Sequence, residues 1–230
     1  MIPARLGSTR IKKKNLRLLN GIPLICYVVR AAKAADCFDE IYINSESEIF
    51  EQIAQEEGVK FFKRGAELAT DLATNDAFTL DFFEKVPCDV MIQLLPTSPF
   101  ITAEEIKDFT DHMLKKNVDT LISVKNDQIE CVYKRKPINF DQKKASPPSQ
   151  NLTPVQAYAC VLMGWRKENY LNNMEKYRSG YHGGDGRIDF FDIKGFSELD
   201  IDNEEDFKLA EVVAKHLLLR TQEDPEYYEA

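Results

Sequence analysis

The residues best suited to chemistry gather near the two ends of the chain. Ile2-Pro-Ala-Arg5-Leu-Gly7-Ser8-Thr9-Arg10-Ile11 runs directly into Lys12, Lys13, Lys14 and Asn15. A small-residue turn around Gly7 lets backbone N–H groups approach an anion closely. Arg5, Arg10 and Lys14 add cationic donors and Ser8 adds a hydroxyl, a set that suits a triphosphate. By composition alone the same run also reads as a solvated basic stretch after a turn. Near the other end, Ser197-Glu-Leu-Asp200-Ile201-Asp202 places two carboxylates two residues apart. In extended backbone side chains alternate, so Asp200 and Asp202 share one face and Ile201 takes the other. Two hard oxygen ligands with room for water and phosphate oxygens are how Mg²⁺ is held. The alternative is that one aspartate merely starts a helix, but Asn203, with Asp206 three residues on, competes for that role.

Between these ends lie Arg64-Gly-Ala-Glu67-Leu-Ala-Thr-Asp71, Asn75, and the segment Leu94-Leu95-Pro96-Thr97-Ser98-Pro99. A strand ending in that segment leaves hydroxyls and carbonyls at the carboxyl edge of a sheet, where open α/β folds bind ligands. It reads equally as a rigid turn into a helix beginning at Thr102 or Ala103. His112 and His216 fall in amphipathic helices, and His182 sits in a Gly-rich turn. With no Ser/His/Asp or Cys/His set evident, covalent nucleophilic catalysis is not indicated.

Hydrophobic periodicity supplies the scaffold for these residues. Short apolar runs predict strands at Glu40–Asn44, Val59–Phe62, Val90–Leu95, Thr120–Val124, Ala157–Gly164 and Ile188–Asp192. Helical spacing predicts Pro23–Ala35, Glu46–Glu57, Asn75–Glu84, Ala103–Lys115, Arg166–Met174 and Glu204–Leu219. Strands alternating with helices imply an α/β fold, a doubly wound and mostly parallel sheet. Only Met1 precedes Ile2, so either the first strand is short or its beginning is missing. The polar, proline-bearing stretch 126–153, with Lys134, Arg135 and Lys136, breaks the rhythm and reads as an excursion or a mobile loop. Residues 221–230 read as a frayed acidic tail.

Composition narrows the function classes. The 230 residues carry 30 Lys and Arg against 38 Asp and Glu, a net charge of −8, which argues against broad nucleic-acid binding. A phosphate ligand must therefore meet a local basic site. No apolar run approaches the roughly 20 residues that span a bilayer. Cys26, Cys37, Cys88, Cys131 and Cys160 are scattered without the close pairs of a zinc site or a disulfide framework, which fits a reducing cytoplasm. Length and composition fit one globular domain over residues 1–230.

The order of these motifs resembles the acylneuraminate cytidylyltransferases, the CMP-sialic acid synthetases, from Ile2 to about Lys215. The residues that carry the likeness are Ile2-Pro-Ala-Arg5, Lys14-Asn15-Leu16, Asn20-Gly-Ile-Pro23, Arg64-x-Ala-Glu-Leu-Ala-x-Asp71, Leu95-Pro-Thr-Ser-Pro99, Gln150-x-Leu152 and Leu199-Asp-Ile-Asp202-x-x-x-Asp206. The resemblance implies a Rossmann-like fold with a dimerisation arm, here 126–153, in a homodimer. It implies transfer of CMP from CTP to a 3-deoxy-2-keto sugar acid with release of pyrophosphate, supported by Mg²⁺ on Asp200 and Asp202. Arg5 and Lys14 would be catalytic and hold the triphosphate with Ser8. Asn15, Arg64 and Asn75 would contact cytosine or ribose, and Leu95, Thr97, Ser98 and Gln150 would line the acceptor side. Thr9 stands where relatives carry Lys, with Arg10 beside it to supply charge. Leu95 stands for a usual Gln, and Ala157, Ala159 and Cys160 for a usual Arg and Asn-Gly pair. The nucleotide half thus matches better than the sugar half. An octulosonate acceptor, or a silent nucleotide-binding paralogue, is the alternative.

Overall fold

The structure is a computed structural model that describes residues 1–219, so the tail expected over 221–230 lies outside the described residues. In chain order the strands are β1 (Ile2–Pro3), β2 (Leu18–Leu19), β3 (Ile22–Pro23), β4 (Tyr42–Ser45), β5 (Lys60–Lys63), β6 (Val90–Leu94), β7 (Thr120–Asp127), β8 (Val132–Tyr133), β9 (Lys136–Pro137), β10 (Val155–Arg166) and β11 (Ile188–Asp192). The helices are α1 (Leu24–Ala35), α2 (Glu48–Glu57), α3 (Asn75–Lys85), α4 (Ala103–Lys115), α5 (Lys167–Tyr177) and α6 (Glu204–Leu219). Strands β1, β4 and β5 pair in parallel, as do β7 and β11. Backbone hydrogen bonds from Met1 N to Ile92 O (2.7 Å) and from Leu94 N to Met1 O (3.1 Å) join β1 to β6. One layer results, ordered β5-β4-β1-β6-β10-β7-β11. It is α/β and mostly parallel as expected, but β10 runs antiparallel to both β6 and β7.

Period-two alternation divides the core between the two faces of this layer. Ile92 and Leu94 of β6 pack with Val28, Phe50, Ile106 and Phe109 of α1, α2 and α4. Met91 of the same strand packs with Phe82, Phe83, Trp165 and Tyr170 on the α3 and α5 side. A third cluster joins Ile11, Leu19 and Leu24 to Ile201, Phe207 and Ala210. That cluster matters for function, because it pins the segment after β1 to the segment before α6.

Local signals fix the helix ends. Thr102 and Glu105 form a reciprocal capping box at α4, the Thr74 hydroxyl accepts from Ala77 N at α3, and Gly58 ends α2 with φ 68°. At α6, Asn203 Oδ1 accepts from Asp206 N (3.0 Å), and Asp206 Oδ2 accepts from Asn203 N (2.9 Å).

The excursion between β7 and β10 is stitched at its base. Gln128 Nε2 donates to the carbonyls of Gln150 (2.9 Å) and Leu152 (3.0 Å), and Asn139 Nδ2 to those of Ile129 (2.8 Å) and Thr153 (2.9 Å). Ile129, Val132, Tyr133 and Ile138 on this excursion are all more than half exposed.

Candidate active site

After β1 the chain leaves the carboxyl edge of the sheet, held by Ala4 N donating to Asn44 O (2.9 Å) and Leu6 N to Glu46 Oε1 (2.8 Å). A Cβ on Gly7 would meet no protein atom within 4 Å, so bare backbone there faces open space. Ser8 is half-buried, and Arg10 is exposed. Ile11 then drops into the third core cluster, and a short 3₁₀ turn over Lys14–Leu16 buries Lys14 and Asn15.

The two ends of the chain meet at Lys14. Its ammonium donates to Ile201 O (2.6 Å) and to Asp202 Oδ1 (3.3 Å), residues nearly two hundred positions away. Arg10 Nη2 lies 2.7 Å from the same Asp202 oxygen. Ile201 is fully buried and donates its N–H to Thr97 O (2.8 Å), which docks this segment on the Pro96–Pro99 turn. Burial pushes the Asp200 carboxyl above the usual carboxylate range, a hydrogen bond from Thr97 pulls it back, and the Asp202 charge pushes it up again. Asp200 Oδ1 is buried without a partner. Asp206 is spent on the start of α6, where its carboxylate also accepts from Asp202 N (2.8 Å).

A second polar group lies along β4, β6 and α3. Arg5 forms an ion pair with Asp71 (2.7 Å) and donates to Ala69 O. Arg64 is buried, donates to Ala4 O (3.2 Å), and lies 4.9 Å from the Phe78 ring centroid, with its Nε and Nη1 unpartnered. Desolvation lowers its pKa, and the nearest carboxylate, Glu46, is 3.8 Å away. Asn15 gives its amide to Arg5 O (3.3 Å) and leaves Oδ1 buried and free. Asn75 Oδ1 and Gln93 Oε1 both lie 3.4 Å from the Thr79 hydroxyl, which has one proton for the two. Gln93 Nε2, Ser98 Oγ and both side-chain polar atoms of Asn44 are buried without partners. Unsatisfied buried polar atoms are rare and call for an explanation. Grouped at the carboxyl edge of a sheet, they form a ready set of donors and acceptors for a polar ligand.

Sequence reasoning did not single out Asn44 and Gln93. The available signal was a polar residue at a strand position flanked by apolar ones, Ile43 before Asn44 and Ile92 and Leu94 around Gln93. Also unforeseen is a latch from Asp76, whose carboxylate accepts from Tyr170 Oη (2.7 Å), Ser179 Oγ (3.0 Å), Gly180 N (2.8 Å) and Tyr181 N (2.9 Å). The latched turn sets Tyr181 against Cys160, which lies in the β10 bulge with φ 53°, and His182 against Tyr158. Burial pushes the Cys160 thiol up, and the Asp200 and Asp202 charges push it in the same direction. The structure brings Arg10, Lys14, Thr97, Asp200 and Asp202 together, with Arg5, Asn15 and Arg64 alongside. It does not bring Gln150 to them: that residue is exposed on the excursion, tied to Gln128. Leu95 offers only an aliphatic side chain.

Among the described residues, no three or more His, Cys, Asp or Glu side chains converge as a metal site. Asp200, desolvated with a bare buried oxygen, and Asp202 beside it fit a Mg²⁺ that draws its remaining ligands from water and phosphate. Such a cation would neutralise phosphate charge.

The sequence pattern of the cytidylyltransferases matches residues 1–182. The chain belongs to the cytidylyltransferase family. It is 28% identical over 216 residues to the N-acylneuraminate cytidylyltransferase of Streptococcus agalactiae serotype III, covering 90% of this chain and 51% of that protein. It is 36% identical over 113 residues to the CMP-N,N'-diacetyllegionaminic acid synthase of Legionella pneumophila, covering 46% of this chain and 49% of the other. Each of these matches spans about half the length of the curated relative. Its fold matches CMP:2-keto-3-deoxy-manno-octonic acid synthetase complexed with CTP, with TM-score 0.70 and 17% identity over 94% of this chain and 97% of that one. These findings bear out the expected family and fold.

Proposed function

We propose that this chain transfers CMP from CTP to the anomeric hydroxyl of a sialic-acid-like 3-deoxy-2-keto sugar acid. The hydroxyl oxygen bonds to the α-phosphorus and gives up its proton to solvent, the bond from the α-phosphorus to the α,β-bridging oxygen breaks, and pyrophosphate leaves. The observation that carries this reading is the meeting of Lys14 and Arg10 with Asp202, two residues from Asp200, so that phosphate-binding cations and cation ligands come together from opposite ends of the chain. In this reading Lys14, Arg5, Ser8 and Arg10 bind the triphosphate, and Mg²⁺ sits on Asp200 and Asp202. Positioning and charge neutralisation supply most of the acceleration. The unpartnered atoms of Arg64, Asn15 and Gln93, with Asn75, recognise base and ribose. Thr97 and Ser98 face the acceptor.

The chain works as one domain and as a homodimer through the arm at 126–153, which the exposed Ile129, Val132, Tyr133 and Ile138 support. Among the described residues no helix is long and apolar enough to cross a membrane, and a cytoplasmic site of action fits the five free cysteines. Pyrophosphate release, measured for four nucleotides against a panel of nonulosonates and octulosonates, tests the reaction. Turnover with CTP and a nonulosonate is expected. Turnover with an octulosonate alone moves the acceptor, in keeping with Ala157, Ala159 and Cys160. CTP binding with no turnover on any acid marks a silent paralogue.

A further inference from the structure

We propose that Arg10 changes partners during loading: it covers Asp202 in the unliganded protein and passes to the nucleotide phosphates when they arrive. Asp202 is thereby opened to a divalent cation only together with the nucleotide. This inference rests on the preceding reading, that phosphates occupy the basic segment after β1.

The two cations on Asp202 are held very differently. Lys14 has 11% of its side chain exposed and is anchored by the Ile201 carbonyl as well as by the carboxylate, so it is part of the frame. Arg10 has 62% of its side chain exposed, and its ion pair with Asp202 is the only polar contact that the described residues give it. An exposed guanidinium held by one carboxylate is weakly retained and moves readily. While it stays, a divalent cation approaching Asp202 from solvent meets a positive charge on the same carboxylate. The neighbouring acids cannot make up the loss. Asp206 is engaged with the backbone N–H groups of Asp202 and Asn203, and Asp200 lies deeper, buried beside Thr97.

A triphosphate resolves the competition, because it carries several negative charges within reach of a flexible arginine and offers bidentate phosphate geometry. Once Arg10 leaves, Asp202 keeps only the more distant Lys14 and regains a free face for the cation. Nucleotide and metal then promote each other's binding, and linkage requires the two enhancements to be equal.

Mn²⁺ is the probe, with free Mn²⁺ followed by electron paramagnetic resonance for the full chain, with and without CTP. Without nucleotide, R10Q is expected to bind Mn²⁺ about three- to tenfold more tightly than wild type, the effect of removing one nearby cation and its ion pair. R10K, which keeps the charge, should stay close to wild type. D202N should lose the gain when combined with R10Q. CTP should tighten Mn²⁺ binding by a larger factor in wild type than in R10Q. Equal or weaker Mn²⁺ binding by R10Q alone, with CTP·Mn²⁺ still bound, overturns the exchange and leaves the nucleotide reading standing. Absence of CTP binding in wild type and R10Q alike overturns both.

Discussion

Burial raises the affinity of the Asp200 carboxyl for its proton, so folding favours the form without the charge that the proposed Mg²⁺ site needs. Between the ordinary carboxyl range and this raised value, the native state holds more protons than the unfolded state. Stability therefore falls as pH rises through that window, and at neutral pH the ionised Asp200 is a cost. Asp200→Asn should accordingly melt at a higher temperature than wild type at pH 7, show a smaller difference at pH 4, and lose most pyrophosphate release. A lower melting point at pH 7 would contradict the account. Lys14→Ala should weaken CTP binding by about 1.5–3 kcal/mol, the range for a charge-assisted hydrogen bond, as read by calorimetry. At this scale sequence reading found what local spacing encodes. Asp200 and Asp202 flank a buried Ile201, and Asn203 starts the helix as read. It missed Asn44 and Gln93, because a polar residue within a strand has no partner at a fixed spacing to announce it. The left-handed backbone imposed on Cys160 was not legible either.

Helices with their own caps were the most legible elements. Helices α4 and α6 fall where periodicity put them, bounded by Thr102 with Glu105 and by Asn203 with Asp206. The direction of β10 was not legible, since a period of two reads the same both ways and the reversal is set by the long arm that precedes the strand. The Asp76 latch was equally hidden, because it joins α3 to a turn a hundred residues later. Removing it leaves the N–H groups of Gly180 and Tyr181 and the Tyr170 hydroxyl without their acceptor. Asp76→Ala should thus cost about 2–4 kcal/mol in denaturant unfolding, more than a typical single hydrogen bond. Asp76→Asn retains an oxygen acceptor and should cost less. Faster amide exchange at residues 179–182 in the alanine variant, with α6 unchanged, would place the effect in the turn rather than in the fold as a whole.

The arm at 126–153 was visible in the sequence as a break in rhythm, yet its order rests on Gln128 and Asn139, whose partners lie up to 24 residues away. Its exposed apolar residues give a direct forecast for the assembly. Light scattering at micromolar concentration should report a dimer, and Val132→Asp with Tyr133→Asp should shift it toward monomer without lowering the melting point of the isolated fold. A wild-type monomer would refute the interface. The buried atoms of Asn44, Arg64, Gln93 and Ser98 that lack partners carry a further consequence, for the lifetime of the molecule. A ligand that satisfies one of them would add about 1–3 kcal/mol to the stability of the folded chain, the cost of a buried polar group left unmade. A ligand that binds only the folded chain lowers the population of opened, cleavable forms, by about a hundredfold at a hundred times its Kd. Thermolysin digestion should therefore slow sharply when CTP is added, and by less for an Arg64→Ala variant at the same CTP concentration. In a cell short of pyrimidine nucleotides, proteases would then clear this protein faster, and its abundance would follow the supply of the proposed nucleotide ligand.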